Sequence, residues 1–142
     1  DAKTWDVVNP LASTVNRLKI FNRICIASFN DNRISKLRKL IKGPICFSAG
    51  TFKSIKILMI AHLGLNPKIT EPCIQLPLFF KGMKIINKTV VSKIKKSGTK
   101  IHIWGTNKEH LIRELMDFGI DGLMVDDCQL LKNILIKVNK WA

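Results

Sequence analysis

The sequence is poor in acidic residues and contains no tyrosine. Its 142 residues include 24 lysines and arginines but only 10 aspartates and glutamates, which gives a formal net charge of +14 at pH 7. Such an excess is typical of proteins that bind nucleic acid or anionic membranes. The lysines are spread along the chain, however, with no single dense block and no tyrosine among them as a stacking platform for bases. We therefore interpret the charge as a solvated, lysine-rich exterior without a specific nucleic-acid partner, and keep a basic module for nucleic acid or anionic lipid as the alternative.

Long apolar runs and targeting signals are also missing. The longest apolar stretch, residues 57–65, is far shorter than the roughly 20 residues of a membrane-spanning helix, and it contains His62. No signal-peptide pattern is present. We therefore expect a cytoplasmic protein without a transmembrane segment. Because the chain begins with Asp1 rather than methionine, we also expect a further segment upstream.

The four cysteines lack the spacing of a metal or redox motif. Cys25, Cys46, Cys73 and Cys128 form no C-x-x-C and no cysteine–histidine pattern. Three of them lie in strand-like runs, where cysteine behaves as a small core residue. We expect structural thiols in a reducing compartment.

Five short apolar runs alternate with segments of helical periodicity. They lie near residues 24–29, 45–48, 73–77, 100–104 and 121–125, and each precedes a predicted helix. This alternation predicts one α/β domain over residues 1–142 with parallel strands, either doubly wound or part of a (β/α)8 barrel. Neither G-x-G-x-x-G nor G-x-x-x-x-G-K-[ST] occurs, which disfavours the nucleotide-binding forms of such folds.

The segment of residues 98–130 contains one complete strand–helix–strand unit. Lys100–Trp104 is rich in β-branched residues, Asn107 has the character of a helix N-cap, and Gly119 closes the helix before the next strand. Functional groups of parallel sheets collect where strands end. We therefore expect Trp104 and Asn107 on one turn, and Asp126 on the next, to lie at the mouth of the fold.

Two motifs in this unit resemble motifs of a known protein family. W-G-T-N at 104–107 and G-I-D-G-L-M-V-D at 119–126 resemble the C-terminal W-T-V-N and G-V-D-G-I-x-T-D motifs of the glycerophosphodiester phosphodiesterase family. Further back, R-I-C-I-A-S-F-N-D-N-R resembles that family's strand ending in S-F, and I-Q-L-P falls where the family has a short strand. Asp1-Ala2-Lys3 is similar to the tail of its E-x-K strand. The resemblance covers nearly the whole chain.

The resemblance implies a (β/α)8 barrel, of which this chain is roughly the last five βα units. It implies a hydrolase of lipid and glycerol metabolism that converts glycerophosphodiesters to glycerol 3-phosphate and an alcohol, with two histidines acting beside Mg²⁺ or Ca²⁺. Those histidines belong to H-R-G and H-D motifs that are absent here, and His62, His102 and His110 match neither motif. We therefore expect the intact protein to be the enzyme, and this chain alone to be inactive and to bind the cation poorly.

The resemblance also assigns three site residues, and Phe29, at the end of its strand, is a fourth candidate. Asp1 takes the position of a metal-ligand glutamate, and Lys3 that of the catalytic lysine which steadies phosphate charge. Trp104 and Phe29 are expected to line the substrate pocket. Without the resemblance, Asp1 and Lys3 read as a polar chain end and Trp104 as an ordinary core aromatic.

Two further expectations concern the chain as a whole. A barrel that has lost its catalytic groups and serves only as a scaffold is a second alternative. Part of a barrel also exposes unpaired strand edges, which favour association. We expect a homo-oligomer formed through those edges.

Overall fold

The computed structural model describes residues 1–141, and this part of the chain contains six helices and seven short strands. The helices are α1 (Val8–Leu18), α2 (Asp31–Leu40), α3 (Thr51–His62), α4 (Lys88–Lys95), α5 (Glu109–Asp117) and α6 (Cys128–Lys137). The strands are β1 (Cys25–Ile26), β2 (Cys46–Phe47), β3 (Cys73–Pro77), β4 (Phe79–Phe80), β5 (Met83–Lys84), β6 (Lys100–Trp104) and β7 (Gly122–Met124). Across these residues no helix is long and apolar enough to cross a bilayer.

Five of the strands run parallel and are neighbours in chain order. Strand β1 pairs with β2, a parallel bridge from Ser48 to Cys73 joins β2 to β3, and β6 lies between β3 and β7. The N-terminus extends this arrangement beyond β1, because the Ala2 amide donates to the Ala27 carbonyl at 2.8 Å. The prediction of an α/β fold with parallel strands is confirmed.

Helices cover one face of the sheet. In β3 and β6 the isoleucines Ile74, Ile101 and Ile103 are completely buried, and they pack in one cluster with residues of α3, α4 and α5. A second cluster joins α1 and α2 to β1 and β2. Because side chains alternate along a strand, the opposite face carries a different set, which includes Gln75 and Trp104. The candidate site lies on this second face of the sheet.

One local prediction fails, and one feature was not predicted. The segment after β3 forms the antiparallel hairpin β4–β5, which the sequence patterns did not indicate. Asn107 is not the N-cap of α5, because that helix begins at Glu109 with Lys108 in the cap position and no side-chain cap. The Asn107 side chain bonds to the loop after β7 instead, where its oxygen accepts from the backbone N–H groups of Asp126 and Asp127.

Candidate functional site

A cavity of about 1030 Å³ opens where the parallel strands end. Its lining includes Asp1, Lys3, Phe29 and Trp104, so the fold brings all four predicted site residues to one place. A few polar atoms of the lining come from residues such as Ser28, whereas most of the lining is apolar. This is the location at which α/β folds with parallel strands bind ligands.

Ala2 fixes the two N-terminal site residues in position. It is completely buried, its amide donates to the Ala27 carbonyl at 2.8 Å, and its own carbonyl accepts from the Ser28 hydroxyl at 2.7 Å. Asp1 and Lys3 flank it in the sequence, and both line the cavity. A carboxylate and an ammonium group therefore stand together on the cavity lining.

The two predicted aromatic wall residues contact each other. Phe29 lies edge to face with Trp104, with ring centroids 6.2 Å apart. The Trp104 carbonyl accepts from the Leu78 amide at 2.9 Å, which fastens the end of β6 to the chain leaving β3. Phe29 remains 63% exposed. The pair offers a ligand an aromatic surface rather than a filled core.

Helix α3 forms a wall of the cavity that sequence reasoning did not find. Its first turn is held by two contacts: the Thr51 hydroxyl donates to the Phe29 carbonyl at 2.7 Å, and the Phe52 amide donates to the Asp31 carboxylate at 3.2 Å. Ile55 and Met59, four residues apart, then face the cavity. Their spacing was a visible signal, but the helix as a whole is so apolar that the pattern did not mark two separate faces.

Asn107 and Asp126 meet, as expected for turns at the same edge, but neither lines the cavity. The Asn107 amide group donates to the Asp126 carboxylate at 3.1 Å. Its oxygen accepts from the backbone N–H groups of Asp126 and Asp127, at 3.0 and 3.3 Å. These bonds join the loop before α5 to the loop before α6.

Asp121 lies in the connection that leads into β7 and has a structural role. Burial disfavours its charged form, but the Ile101 amide, 3.0 Å away, and the ammonium groups of Lys100 and Lys95 outweigh that effect. The pKa of the Asp121 carboxyl is consequently lowered.

Three cysteines cluster on the face of the sheet opposite the helices. Cys25 and Cys46 are register partners with sulfur atoms 3.2 Å apart, and Cys73 lies within 3.5 Å of the His102 ring. The hydrogen bond to Cys73, together with burial, raises the pKa of the Cys25 thiol, while the same bond lowers the pKa of Cys73. Burial and the Cys25 thiol raise the pKa of Cys46 to about 12. Cys73 is buried, Cys25 and Cys46 are only partly so, and Cys128 is exposed.

The groups on the cavity can bind an anion but are a poor set for a metal or for proton transfer. Asp1 is the one carboxylate among the lining residues, and nowhere in residues 1–141 do three histidine, cysteine or acidic side chains gather as metal ligands. A hard cation takes six or more oxygen ligands, commonly with more than one carboxylate. His62 is the one lining histidine, and its Nε2 contacts the Ile85 carbonyl at 3.0 Å.

Known proteins are similar to this chain in sequence and in fold. Residues 3–130 match the sequence model of the Glycerophosphoryl diester phosphodiesterase family. The chain is 26% identical to "Probable glycerophosphodiester phosphodiesterase 2" of Mycobacterium tuberculosis, over 99% of its own length and 55% of that relative. It superposes with a TM-score of 0.76 at 14% identity on the glycerophosphoryl diester phosphodiesterase domain of an uncharacterized M. tuberculosis protein, over 95% of this chain and 56% of that one.

The chain therefore spans about half the length of the relatives it matches. The match to the family extends over most of the sequence, from the N-terminal Lys3 to the start of α6. The expectation drawn from the W-G-T-N and G-I-D-G motifs is confirmed, and this chain belongs to the glycerophosphoryl diester phosphodiesterase family.

Proposed function

We propose that this chain forms part of the active site of an enzyme that hydrolyses glycerophosphodiesters to glycerol 3-phosphate and an alcohol. The observation that carries the proposal is the gathering of Asp1, Lys3, Phe29 and Trp104 on one cavity at the strand ends. The consecutive parallel strands support a further step, that they are five of the eight strands of a (β/α)8 barrel.

Each of the four residues has a role that its chemistry suits. The ammonium group of Lys3 binds a phosphodiester oxygen and offsets the negative charge that grows there during hydrolysis. Trp104 and Phe29 pack against the glycerol or head-group part of the substrate and exclude water from one side of it. Asp1 contributes a carboxylate at the position of a metal ligand.

A divalent cation, Mg²⁺ or Ca²⁺, is proposed for the intact enzyme, but the donor set of this chain does not fit one. Asp1 alone cannot replace the several oxygen ligands that either ion requires. We assign no step to the ion here, and expect this chain to bind Mg²⁺ or Ca²⁺ weakly.

The chain alone is proposed to be inactive. General acid–base catalysis needs a proton-transferring group near the scissile bond and contributes roughly 10²–10⁴-fold to the rate. His62 is engaged with the Ile85 carbonyl, and His102 lies against Cys73 instead of on the cavity lining. Incubation of the purified chain with glycerophosphocholine and Mg²⁺ or Ca²⁺ should yield no glycerol 3-phosphate, and turnover would contradict this.

Two experiments test whether the intact protein is an enzyme: the coding sequence is read upstream of Asp1, and the full-length product is assayed. Codons upstream of Asp1 that specify an H-R-G strand and an H-D motif would support it. A full-length product that turns over glycerophosphocholine, and loses that turnover with Lys3→Ala, would support it further. An upstream sequence without those motifs, together with an inactive product, would favour the non-catalytic scaffold.

Two whole-chain properties are proposed as well. We propose a cytoplasmic location, because thiols stay reduced in that compartment. It is also proposed to self-associate, since β7 presents an edge on which no other strand of residues 1–141 pairs. Light scattering that gave the mass of a monomer over a wide range of concentration would contradict self-association.

A further inference from the structure

The fold gathers cations that are scattered along the sequence. Because five strands run parallel, the loops that lead into them lie at one end of the sheet, opposite the end where the cavity opens. Exposed cations lie in the last turns of α1 and α2 and in the loops that lead into β1, β2 and β6: Arg17, Lys19, Arg23, Lys39, Lys42 and Lys96. We call these six residues the basic end.

Few negative charges balance the basic end. Of the 10 acidic residues in the chain, those on this side of the sheet are Glu71, Glu114, Asp117 and Asp121. Only Asp117 among them has no ion pair within residues 1–141, because lysines outside the basic end neutralise the others. The remaining acidic residues precede or begin helices at the cavity end, where the helix dipole favours a negative charge. The basic end therefore carries an excess of positive charge.

Hydrogen bonds fix the loops of the basic end to their neighbours. The Asn16 amide group donates to the Leu40 carbonyl, and the Lys42 amide donates to the Asn16 side-chain oxygen, both at 2.9 Å. These bonds join the end of α1 to the end of α2. In the loop that leads into β6, the Thr99 hydroxyl donates to the Glu71 carbonyl at 3.0 Å, just before β3. The cations are therefore carried by loops that are bonded to adjacent parts of the fold.

Helix stability explains only part of this charge pattern. A cation in the last turn of a helix interacts favourably with the helix dipole, which accounts for Arg17 in α1 and Lys39 in α2. Arg23 and Lys42 lie beyond the helix ends, where that interaction has fallen off. There they add repulsion between like charges, which opposes folding. An anionic partner would relieve this repulsion.

Further strands of a barrel would not cover the middle of this end. In the barrel proposed above, additional strands pair beyond Ala2 and beyond β7, at the two ends of the row β1, β2, β3, β6 and β7. Lys42 and Lys96 lie in the loops that lead into β2 and β6, which are inside that row. Additional βα units place their own loops beside these two. Both lysines therefore stay exposed in such a barrel.

The residue types at the basic end suit a lipid surface better than a nucleic acid. Arginine offers a planar fork for bidentate contacts to nucleic-acid phosphates, whereas lysine is a compact, strongly hydrated point charge. Lysines outnumber arginines at the basic end, and none of its six residues lines the cavity. A negatively charged bilayer attracts such point charges without any fixed geometry, and each cation near its surface raises partitioning roughly fivefold.

We propose that the basic end is a docking surface for an anionic phospholipid bilayer. The ammonium and guanidinium groups attract the negative charge of the lipid headgroups, and no part of the chain enters the hydrocarbon region. The cavity, at the other end of the strands, faces the water in this orientation. A water-soluble ligand can then reach the cavity while the protein remains at the membrane surface. The docking does not depend on the proposed hydrolysis.

Co-sedimentation with lipid vesicles tests the docking. The 142-residue chain is mixed with vesicles of phosphatidylcholine alone, or of phosphatidylcholine with about 30% phosphatidylglycerol, which makes the surface negative. The chain should bind only the anionic vesicles. An increase of NaCl from about 0.1 M to about 0.5 M should release it, because salt screens the attraction. Equal binding to both kinds of vesicle, or binding to neither, would overturn the inference.

Two double variants with the same loss of charge locate the docking surface. Lys42→Gln with Lys96→Gln removes two cations from the basic end, whereas Lys88→Gln with Lys108→Gln removes two exposed cations at the starts of α4 and α5, on the cavity side. The first pair should weaken partitioning onto anionic vesicles by roughly tenfold or more, and the second by less than about twofold. Circular dichroism confirms that both variants are folded. Equal effects of the two pairs would contradict the assigned surface.

Two further measurements decide between a bilayer and other partners. A DNA or RNA duplex of mixed sequence should bind more weakly than the anionic vesicles at the same salt concentration. Tighter binding of the duplex, with the same dependence on Lys42 and Lys96, would assign the surface to nucleic acid and overturn the inference. The full-length product should also bind the anionic vesicles, and its failure to do so would show that the basic end is not a docking surface in the intact protein.

Discussion

Phe29 and Trp104 meet edge to face at the cavity, with their ring planes at 82° and their centroids 6.2 Å apart. Phe29 comes shortly after β1 and Trp104 ends β6, so the contact forms only when distant parts of the chain have folded together. An edge-to-face arrangement directs the positive edge of one ring to the negative face of the other. This part of the cavity wall therefore forms only when both segments have folded.

The coupling between these rings is measurable by a double-mutant cycle. Phe29→Ala, Trp104→Ala and the double variant should give an interaction energy of about 0.5–1.5 kcal/mol in urea unfolding. The same cycle with Phe52→Ala in place of Phe29→Ala is the control, because Phe52 is 79% exposed and pairs with no aromatic ring among residues 1–141. A coupling no larger for Phe29 than for Phe52 would show that the contact contributes nothing to stability.

Much of the fold follows from local sequence patterns. The apolar runs near residues 73–77 and 100–104 became β3 and β6 with the predicted bounds, because β-branched residues fill a strand whose one face is fully buried. The strand predicted at 24–29 shrinks to Cys25–Ile26. Hydrogen-bonded pairing with β2 is limited to those two residues, and the apolar pattern alone could not show that.

The rest depends on contacts that no local pattern contains. The hairpin β4–β5 consists of two-residue strands, which are too short to show a periodicity. Asn107 fits the N-cap rule, yet its oxygen accepts from amides of the next loop. The apolar wall of α3 could not be predicted either, since packing decides which apolar face is buried.

Asn107 is expected to contribute to stability through the loop it holds. Asn107→Ala removes its three hydrogen bonds to Asp126 and Asp127. Because the site is exposed and water replaces part of the loss, the free energy of unfolding should fall by only about 0.5–1.5 kcal/mol. Amide hydrogen exchange at Asp126 and Asp127 should accelerate at the same time, which a merely global destabilisation of that size would not confine to these two residues.

The control for this loop is Asn66→Ala. Asn66 is exposed and makes no side-chain hydrogen bond to another of residues 1–141. Its replacement should leave both the unfolding free energy and the exchange rates near their starting values. If the two variants behaved alike, the bonds of Asn107 would be unimportant in solution.

The cysteines are expected to differ sharply in reactivity. At pH 8 only the thiolate reacts with iodoacetamide, and a pKa of about 12 for Cys46 leaves it with a thiolate fraction roughly a thousandfold below that of an ordinary cysteine. The pKa of Cys25 is raised as well, and Cys73 is protected by burial. Mass spectrometry should show one rapid modification, at the exposed Cys128.

Two further measurements complete the test of the thiols. Cys128→Ser should remove the rapid modification, whereas denaturation should make all four cysteines of the parent chain reactive. Rapid modification of Cys25 or Cys46 in the native protein would contradict the environment described for the cysteine cluster.

Asp121 should make the stability of the protein depend on pH in the acidic range. Its folded-state pKa is lowered: burial opposes ionisation, but the Ile101 amide and the ammonium groups of Lys100 and Lys95 prevail. A carboxyl whose pKa is lower in the folded state stabilises the protein above its unfolded pKa of about 3.9, and loses that contribution as pH falls through the folded value. Asp121→Asn should therefore cost about 1–2 kcal/mol at pH 7 and progressively less below pH 4, as measured by urea unfolding. The control is Asp117→Asn, at an exposed position with no ion pair among residues 1–141, and its effect on the unfolding free energy should not change with pH. A cost for Asp121→Asn that did not change with pH would refute the role assigned to Asp121.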